Sequence, residues 1–267
     1  MEGTPTGTPD VELGAGPDAP IAPVPREGGR QVIPRPPSAR AGSAAPWAEL
    51  SPGRRHGITV DRVRRAFWDI GSAPADARRL APDGFRVLQS PAAVLAPLFD
   101  EDGEARVILT RRAAHLRAHR GEVSFPGGRL DEGETPEAGA LREAAEEIGL
   151  DPDPVETIGR LTPVTTFASG STITPVVGLL PGRPALVASP HEVEHVFDVS
   201  LTELADPQVF REEWWTVPGR GPTPLTDGAA NEGRQPFPVW FFELPDDTVW
   251  GATARMLVDL LRLVLEV

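Results

Sequence analysis

Apolar residues recur along this chain at two spacings, and the alternation between them predicts the order of elements. In ITVDRVRRAFWDI, residues 58–70, Val60, Val63, Phe67 and Ile70 fall at helical intervals with Arg62, Arg64 and Arg65 turned away, which predicts an amphipathic helix. PAAVLAPLF and ARVILTRR flank DEDG at 100–103, a hairpin signal with glycine at the turn. VETIGRLTPVTT and TITPVVGLL are rich in β-branched residues and predict two further strands. EHVFDVSL follows, then a Gly- and Pro-heavy loop expected over about 211–236, then the strand FPVWFFEL. In GATARMLVDLLRLVLEV, residues Ala254, Leu257, Leu261, Val264 and Leu265 form one stripe, so a helix closes the chain. Strands interrupted by helices predict an α/β (α+β) architecture, with helices covering a mixed sheet.

Before residue 58 this periodicity is missing. Residues 1–57 hold 11 Pro and 9 Gly and few large aliphatic residues, a composition that predicts a disordered tail ahead of one domain over 58–267. Acidic and basic residues balance in the tail, so the net charge of −13 falls on the domain. An acidic domain argues against nucleic acid as a partner. No Cys is present, which excludes thiolate chemistry and cysteine zinc sites. No apolar run approaches the ~18 residues of a spanning helix and no signal peptide is seen, so the expectation is a cytoplasmic protein without membrane contact.

One stretch breaks the usual economy of charge. GGRLDEGETPEAGALREAAEEIGL, residues 127–150, gathers glutamates on a predicted helix where like charges at i,i+3 and i,i+4 repel. Thr135 suits the N-cap, Pro136 the first helical position and Gly149 the left-handed stop. On a helical wheel with Glu143 at the origin, Glu147 lies at about 40° and Glu146 at about −60°, flanked by Gly139 and Ala140. Leu141, Ala144, Ala145, Ile148 and Ala138 take the opposite side as the expected core face. Carboxylates so spaced are hard oxygen donors suited to a divalent cation, and the small neighbours leave room for close approach. The bland alternative is a solvated acidic face.

Gly128, Glu134, Arg142, Glu143, Glu146, Glu147 and Gly149 fit the spacing G-x5-E-x7-R-E-U-x-E-E-x-G-U, closed by Leu150. An accidental match is on the order of one in 10⁸ per start position. The segment resembles the Nudix hydrolase box, with Ala144 where that family often carries a larger aliphatic residue. The resemblance implies a Nudix-type sandwich of helices around a mixed sheet, and Mg²⁺ or Mn²⁺ as cofactor. It implies Glu143 and Glu147 as primary metal ligands, Glu146 as a further ligand or base, and Arg142 orienting carboxylates including Glu134. The implied reaction is attack of water on a nucleoside diphosphate, with the ion polarising the bridging phosphate oxygens.

Directly upstream, ILTRRAAHLRAHRGEVSFPGG at 108–128 is similar to the signature of the coenzyme A pyrophosphatase branch. Arg112 and Arg117 are the phosphate-contact candidates, since a guanidinium fork grips phosphate bidentately, and Gly127 and Gly128 complete the substrate-binding set. The resemblance implies cleavage of coenzyme A, or acylated forms of it, to 3′,5′-ADP and 4′-phosphopantetheine. Two downstream segments, PHEVEHVFDVSLTEL and PVWFFELPDDTVWGATARML, look like the same branch. Other nucleoside diphosphates such as ADP-ribose, NADH or a dinucleoside polyphosphate stay open as substrates, as does a ligand sensor without turnover. A homodimer is compatible with the sequence without being indicated by it.

A competing motif lies at 191–195, where HEVEH matches H-E-x-x-H, the helical zinc site of metallopeptidases, through His191, Glu192 and His195. The strand-like VFDVS that follows argues against it, and Glu192 or Glu194 is the alternative candidate for a general base near the substrate. His115 and His119 also stand four apart, in an arginine-rich setting that favours anion contact or solvation over metal.

Overall fold

The computed structural model describes residues 31, 33–69, 91–116, 121–166, 171–216 and 236–267. Element order is β1 (Arg40–Ala41), α1 (Pro52–Arg55), α2 (Val60–Asp69), β2 (Pro91–Glu101), β3 (Glu104–Arg112), β4 (Val123–Ser124), β5 (Gly127–Arg129) and α3 (Pro136–Ile148). There follow β6 (Glu156–Arg160), β7 (Val164–Thr165), β8 (Thr172–Leu179), β9 (Val193–Ser200), α4 (Leu201–Leu204), β10 (Phe210–Trp215), β11 (Phe237–Glu243), β12 (Thr248–Trp250) and α5 (Gly251–Leu265). The mixed sheet and flanking helices agree with the expected class.

Strand β2 is the spine of the main sheet. It pairs antiparallel with β3 through the Asp102–Gly103 turn and parallel with β8, and β9 continues the sheet outward from β3. Its alternate residues serve two cores, as a strand covered on both sides requires. Ala93, Leu95 and Phe99 pack with Ala140, Ala144 and Ile148 of α3. Val94, Ala96 and Leu98 face the larger core, which takes in Val63 and Phe67 of α2 and Leu257, Leu261 and Val264 of α5. A second sheet, ordered β1-β10-β11-β12, adds Phe210 and Phe242 to that core.

Two expectations need correction. Residues 33–57, read from composition as tail, belong to the fold: Trp47 is fully buried, its ring edge-on to Phe210 at 5.4 Å and stacked on Phe242 at 6.3 Å. Arg35 bonds the buried carboxylate of Glu213 at 2.6 and 3.0 Å, and Arg40 and Ala41 pair with Trp214 and Glu213 of β10. An average over Pro and Gly hides these few anchoring side chains, whose partners lie far away in sequence. The second correction is β10, placed by sequence inside a long loop. FREEWW pairs in full with β11, and its Glu213 is internal because Arg35 and Trp215 Nε1 both donate to it.

If residues 33–57 belong to the core, Trp47→Ala should destabilise the protein by about 3–5 kcal/mol, read as a lower urea midpoint. A change within about 0.5 kcal/mol would return the segment to the status of an accessory tail.

Candidate active site

Helix α3 begins as its sequence predicts: the Thr135 side chain accepts from Ala138 N at 3.2 Å, and Pro136 follows. It ends at Gly149, whose φ of 64° is the left-handed cap. The final carbonyls are taken up from outside the helix, by Val187 N on Ile148 O at 2.9 Å and Ser189 N on Glu147 O at 2.8 Å.

The buried stripe of α3 is Gly139, Ala140, Ala144, Glu147 and Ile148, which differs from the wheel in one respect. Glu147 faces inward at 3% exposure, while Ala138 is exposed and Leu141 and Ala145 are only partly covered. The core face is rotated toward the carboxylates, because the helix lies tight against the Gly127–Gly128 strand. A Cβ on Gly128 would meet the Glu143 carboxylate at 2.5 Å, whereas one on Gly127 would meet β2 instead, at Ala93 O, 2.4 Å away. The space beside Gly139 is filled by the chain's own Leu130 and Glu134, whose atoms lie 2.2 and 2.9 Å from where its Cβ would stand.

Two arginines divide the carboxylates between them. Arg142 donates to Glu134 at 2.9 and 3.0 Å, to Glu143 at 3.1 Å, to Arg129 O at 3.0 Å and, more loosely, to Glu146 at 3.4 Å. The Arg142 bond, aided by Asp131 N–H, holds Glu134 below the usual carboxylate range. Glu147 accepts from Gly127 N at 3.1 Å and from Arg112 Nη1 at 3.4 Å. Burial pushes its pKa up to about 7, with Glu192 and Glu143 adding repulsion and the Gly127 and Arg112 contacts opposing. Burial also raises Glu143, despite Arg142.

The expected trio of Glu143, Glu146 and Glu147 is therefore not gathered into one cage: Arg142 stands between Glu143 and the exposed Glu146, and Glu147 turns to the strand. Among the described residues no three His, Cys, Asp or Glu side chains form a ready metal cluster. The donor set still suits a divalent cation. Glu143 and Glu147 are desolvated, and Glu192 lies near enough to repel both, an excess of negative charge beside hard oxygen atoms.

Glu192, on the turn that follows Ser189, adds its charge to this region. The Glu194 carboxylate lies 3.7 Å from Arg111 Nε. His191 and Glu192 lie in a turn and His195 on β9, stacked on Phe197, so the helical geometry of a zinc H-E-x-x-H site is not formed. The β-branched Val193, Val196 and Val199 carry the segment as a strand. His115 Nε2 sits 3.1 Å from His191 O. Arg117 and His119 lie outside the described residues.

One feature of the site escaped the sequence reading. Arg111, the neighbour of Arg112, points to the other side of the sheet and bonds the buried Asp247 at 2.9 Å. With Arg112 N bonded to Glu122 O at 3.0 Å and Gly121 N to Arg112 O at 3.1 Å, the end of β3 is held by backbone bonds as well as by its side chains. The acidic pair Asp246–Asp247 between two apolar strands was the available signal.

Comparison with known proteins bears on this arrangement. The NUDIX domain family matches residues 89–224, just over half of the chain. Nudix hydrolase 3 of Caenorhabditis elegans is 42% identical over 169 residues, which cover 62% of this chain and 70% of that protein. The "Uncharacterized Nudix hydrolase NudL" of Salmonella paratyphi B is 39% identical over 173 residues, 64% of this chain and 81% of that protein. Among solved structures, the Nudix hydrolase RenU of M. smegmatis superposes with a TM-score of 0.37 at 28% identity, over 43% of this chain and 73% of its own.

The buried Glu147 makes stability depend on pH with a definite sign. Its pKa is about 7 in the folded chain against 4.5 ordinarily, so between these values the folded state holds a proton that the unfolded state has lost. Stability of the metal-free protein should decline as pH rises through that window, by about 3 kcal/mol in all. Glu147→Gln should match the wild type below the window and exceed it by that amount at pH about 8, in urea titrations with chelator. Parallel curves for the two proteins would contradict the burial argument.

Proposed function

The chain belongs to the Nudix family of pyrophosphohydrolases, and on that premise we propose that it hydrolyses the diphosphate bond of coenzyme A and its acylated derivatives, releasing 3′,5′-ADP and a phosphopantetheine. The observation that carries this reading is the meeting of two motifs in space. Arg112, from the upstream segment with the coenzyme A signature, stands 3.4 Å from Glu147 of the helix.

In this reading Glu143 and Glu147 hold Mg²⁺ or Mn²⁺, joined by Glu146, whose long and exposed contact with Arg142 costs little to give up. When bound, the ion neutralises the diphosphate oxygens and makes water more acidic. Arg112, with Arg117, grips the diphosphate, and Gly127 and Gly128 let it approach the backbone. Arg142 keeps Glu143 aimed by anchoring on Glu134 and Arg129 O. Glu192, outside the Arg142 cluster and near enough to repel both desolvated carboxylates, takes the proton from the attacking water. The new P–O bond forms as the bridging P–O bond breaks, and the leaving phosphate carries off the electron pair.

Purified protein given coenzyme A, ADP-ribose, NADH and diadenosine polyphosphates with Mg²⁺ or Mn²⁺ should cleave coenzyme A with the highest kcat/KM. Preference for another member would keep the chemistry and replace the substrate. Glu147→Gln should lower kcat by about 10²–10⁴-fold. Of the two loop carboxylates, Glu192→Gln should lower kcat by about 10²-fold with Glu194→Gln close to wild type; the reverse order would remove Glu192 from the base role.

A further inference from the structure

Beside the carboxylate site runs a cavity of about 410 Å³, bounded on one side by residues 183–188 and on the other by β9. Its floor is apolar, made by Phe99, Ile108, Leu186 and Val196. One end reaches Ala188 and Glu194, next to the turn that bonds the end of α3 and presents Glu192. The other end reaches Arg183 and Asp198, about 14 Å further along the strand at ~3.4 Å per residue.

Strand β9 is the edge of the main sheet: it pairs with β3 on one side and, among the described residues, with no strand on the other. Residues 183–188 run beside it as irregular backbone, and Val187 N bonds Ile148 O at the α3 terminus rather than reaching across the gap to β9. An edge strand facing an apolar slot offers amide N–H and C=O groups to a chain that can alternate them.

Charge narrows the occupant. Arg183 is committed to Glu101 at 2.6 Å and to Asp198 at 2.7 Å, and Arg106 also bonds Asp198, so the arginine on the described rim is already neutralised by carboxylates. Glu194 adds negative charge at the end nearest the site.

From this geometry we infer that the cavity is the subsite for the neutral, amide-bearing arm of the substrate, laid along β9 as a short added strand while the diphosphate stays between Arg112 and the carboxylates. The inference rests on the coenzyme A reading and adds to it which end of the molecule lies where, and that backbone pairing on β9 selects it.

Hydrogen exchange in chelator, so that nothing is cleaved, tests the pairing directly. Coenzyme A should slow amide exchange at residues 194–198, whereas 3′,5′-ADP, which lacks the arm, should not; equal protection by both ligands, or none, overturns the inference. Narrowing the slot with Val196→Phe should lower the ratio of kcat/KM for coenzyme A to that for ADP-ribose at least tenfold, and Leu186→Trp, on the opposite wall, serves if the first variant does not fold. An unchanged ratio in a folded variant also overturns the inference, with the substrate reading intact. Failure of the unaltered protein to cleave coenzyme A overturns the reading beneath it, and the inference with it.

Discussion

The site is organised by a single unfavourable placement, the insertion of the Glu147 carboxylate between helix α3 and the Gly127–Gly128 strand. A desolvated carboxylate needs close partners, and this one has a backbone N–H at 3.1 Å and a guanidinium at 3.4 Å. The deficit is kept because everything around it is fixed by stronger demands. Ala140, Ala144 and Ile148 must cover β2, which turns Glu147 inward with them. The strand can come this close to the helix only where residue 128 carries no Cβ, and Gly127 in turn lets it lie against β2.

The same packing explains why the helix end and the active site form together. The last carbonyls of α3 have no partners within the helix, and the backbone of residues 187–189 supplies them. That contact sets the path of the following turn, whose Glu192 lies near enough to repel Glu143 and Glu147. A helix cap, a loop path and a third carboxylate are thus one structural event. On the opposite face of the sheet, the Arg111–Asp247 pair does comparable work for β3, because in a strand the immobilisation of one side chain fixes the direction of its neighbour.

Sequence reading went furthest where the signal is local. The β2–β3 hairpin, the caps of α3 and the stripe of α5 each depend on residues within a few positions of one another, and each was legible. The identity of the acidic residues was legible too, through their spacing. Their orientation was not, since a hydropathy wheel turns every carboxylate outward, and nothing in EEIGL says that the second glutamate is held inside by a glycine backbone twenty residues earlier. The segment around Trp47 failed for a related reason: its stability lies in contacts with Phe210, Phe242 and Glu213, more than a hundred and sixty residues away, while its own composition is that of a loop. Strand β10 was hidden by its two glutamates, which also take donors from the distant Arg35 and Ser43.

Electrostatic incompleteness on both sides of the site is what suits it to a charged substrate. Most arginines near α3 are satisfied within the protein: Arg142 by Glu134 and Glu143, and Arg160 by a two-bond fork to Glu137 at 2.5 and 2.6 Å. Arg112 differs, since the contact it makes to Glu147 is at the long limit of a hydrogen bond. A guanidinium so weakly held loses little by turning to a phosphate oxygen, and the carboxylate it leaves would then be still shorter of positive charge. In the proposed reading, a diphosphate arriving with a divalent cation would supply both needs at once, anion to Arg112 and cation to Glu147. Either component alone meets only half of the deficit, so the two should bind cooperatively, each raising the affinity for the other by the same factor.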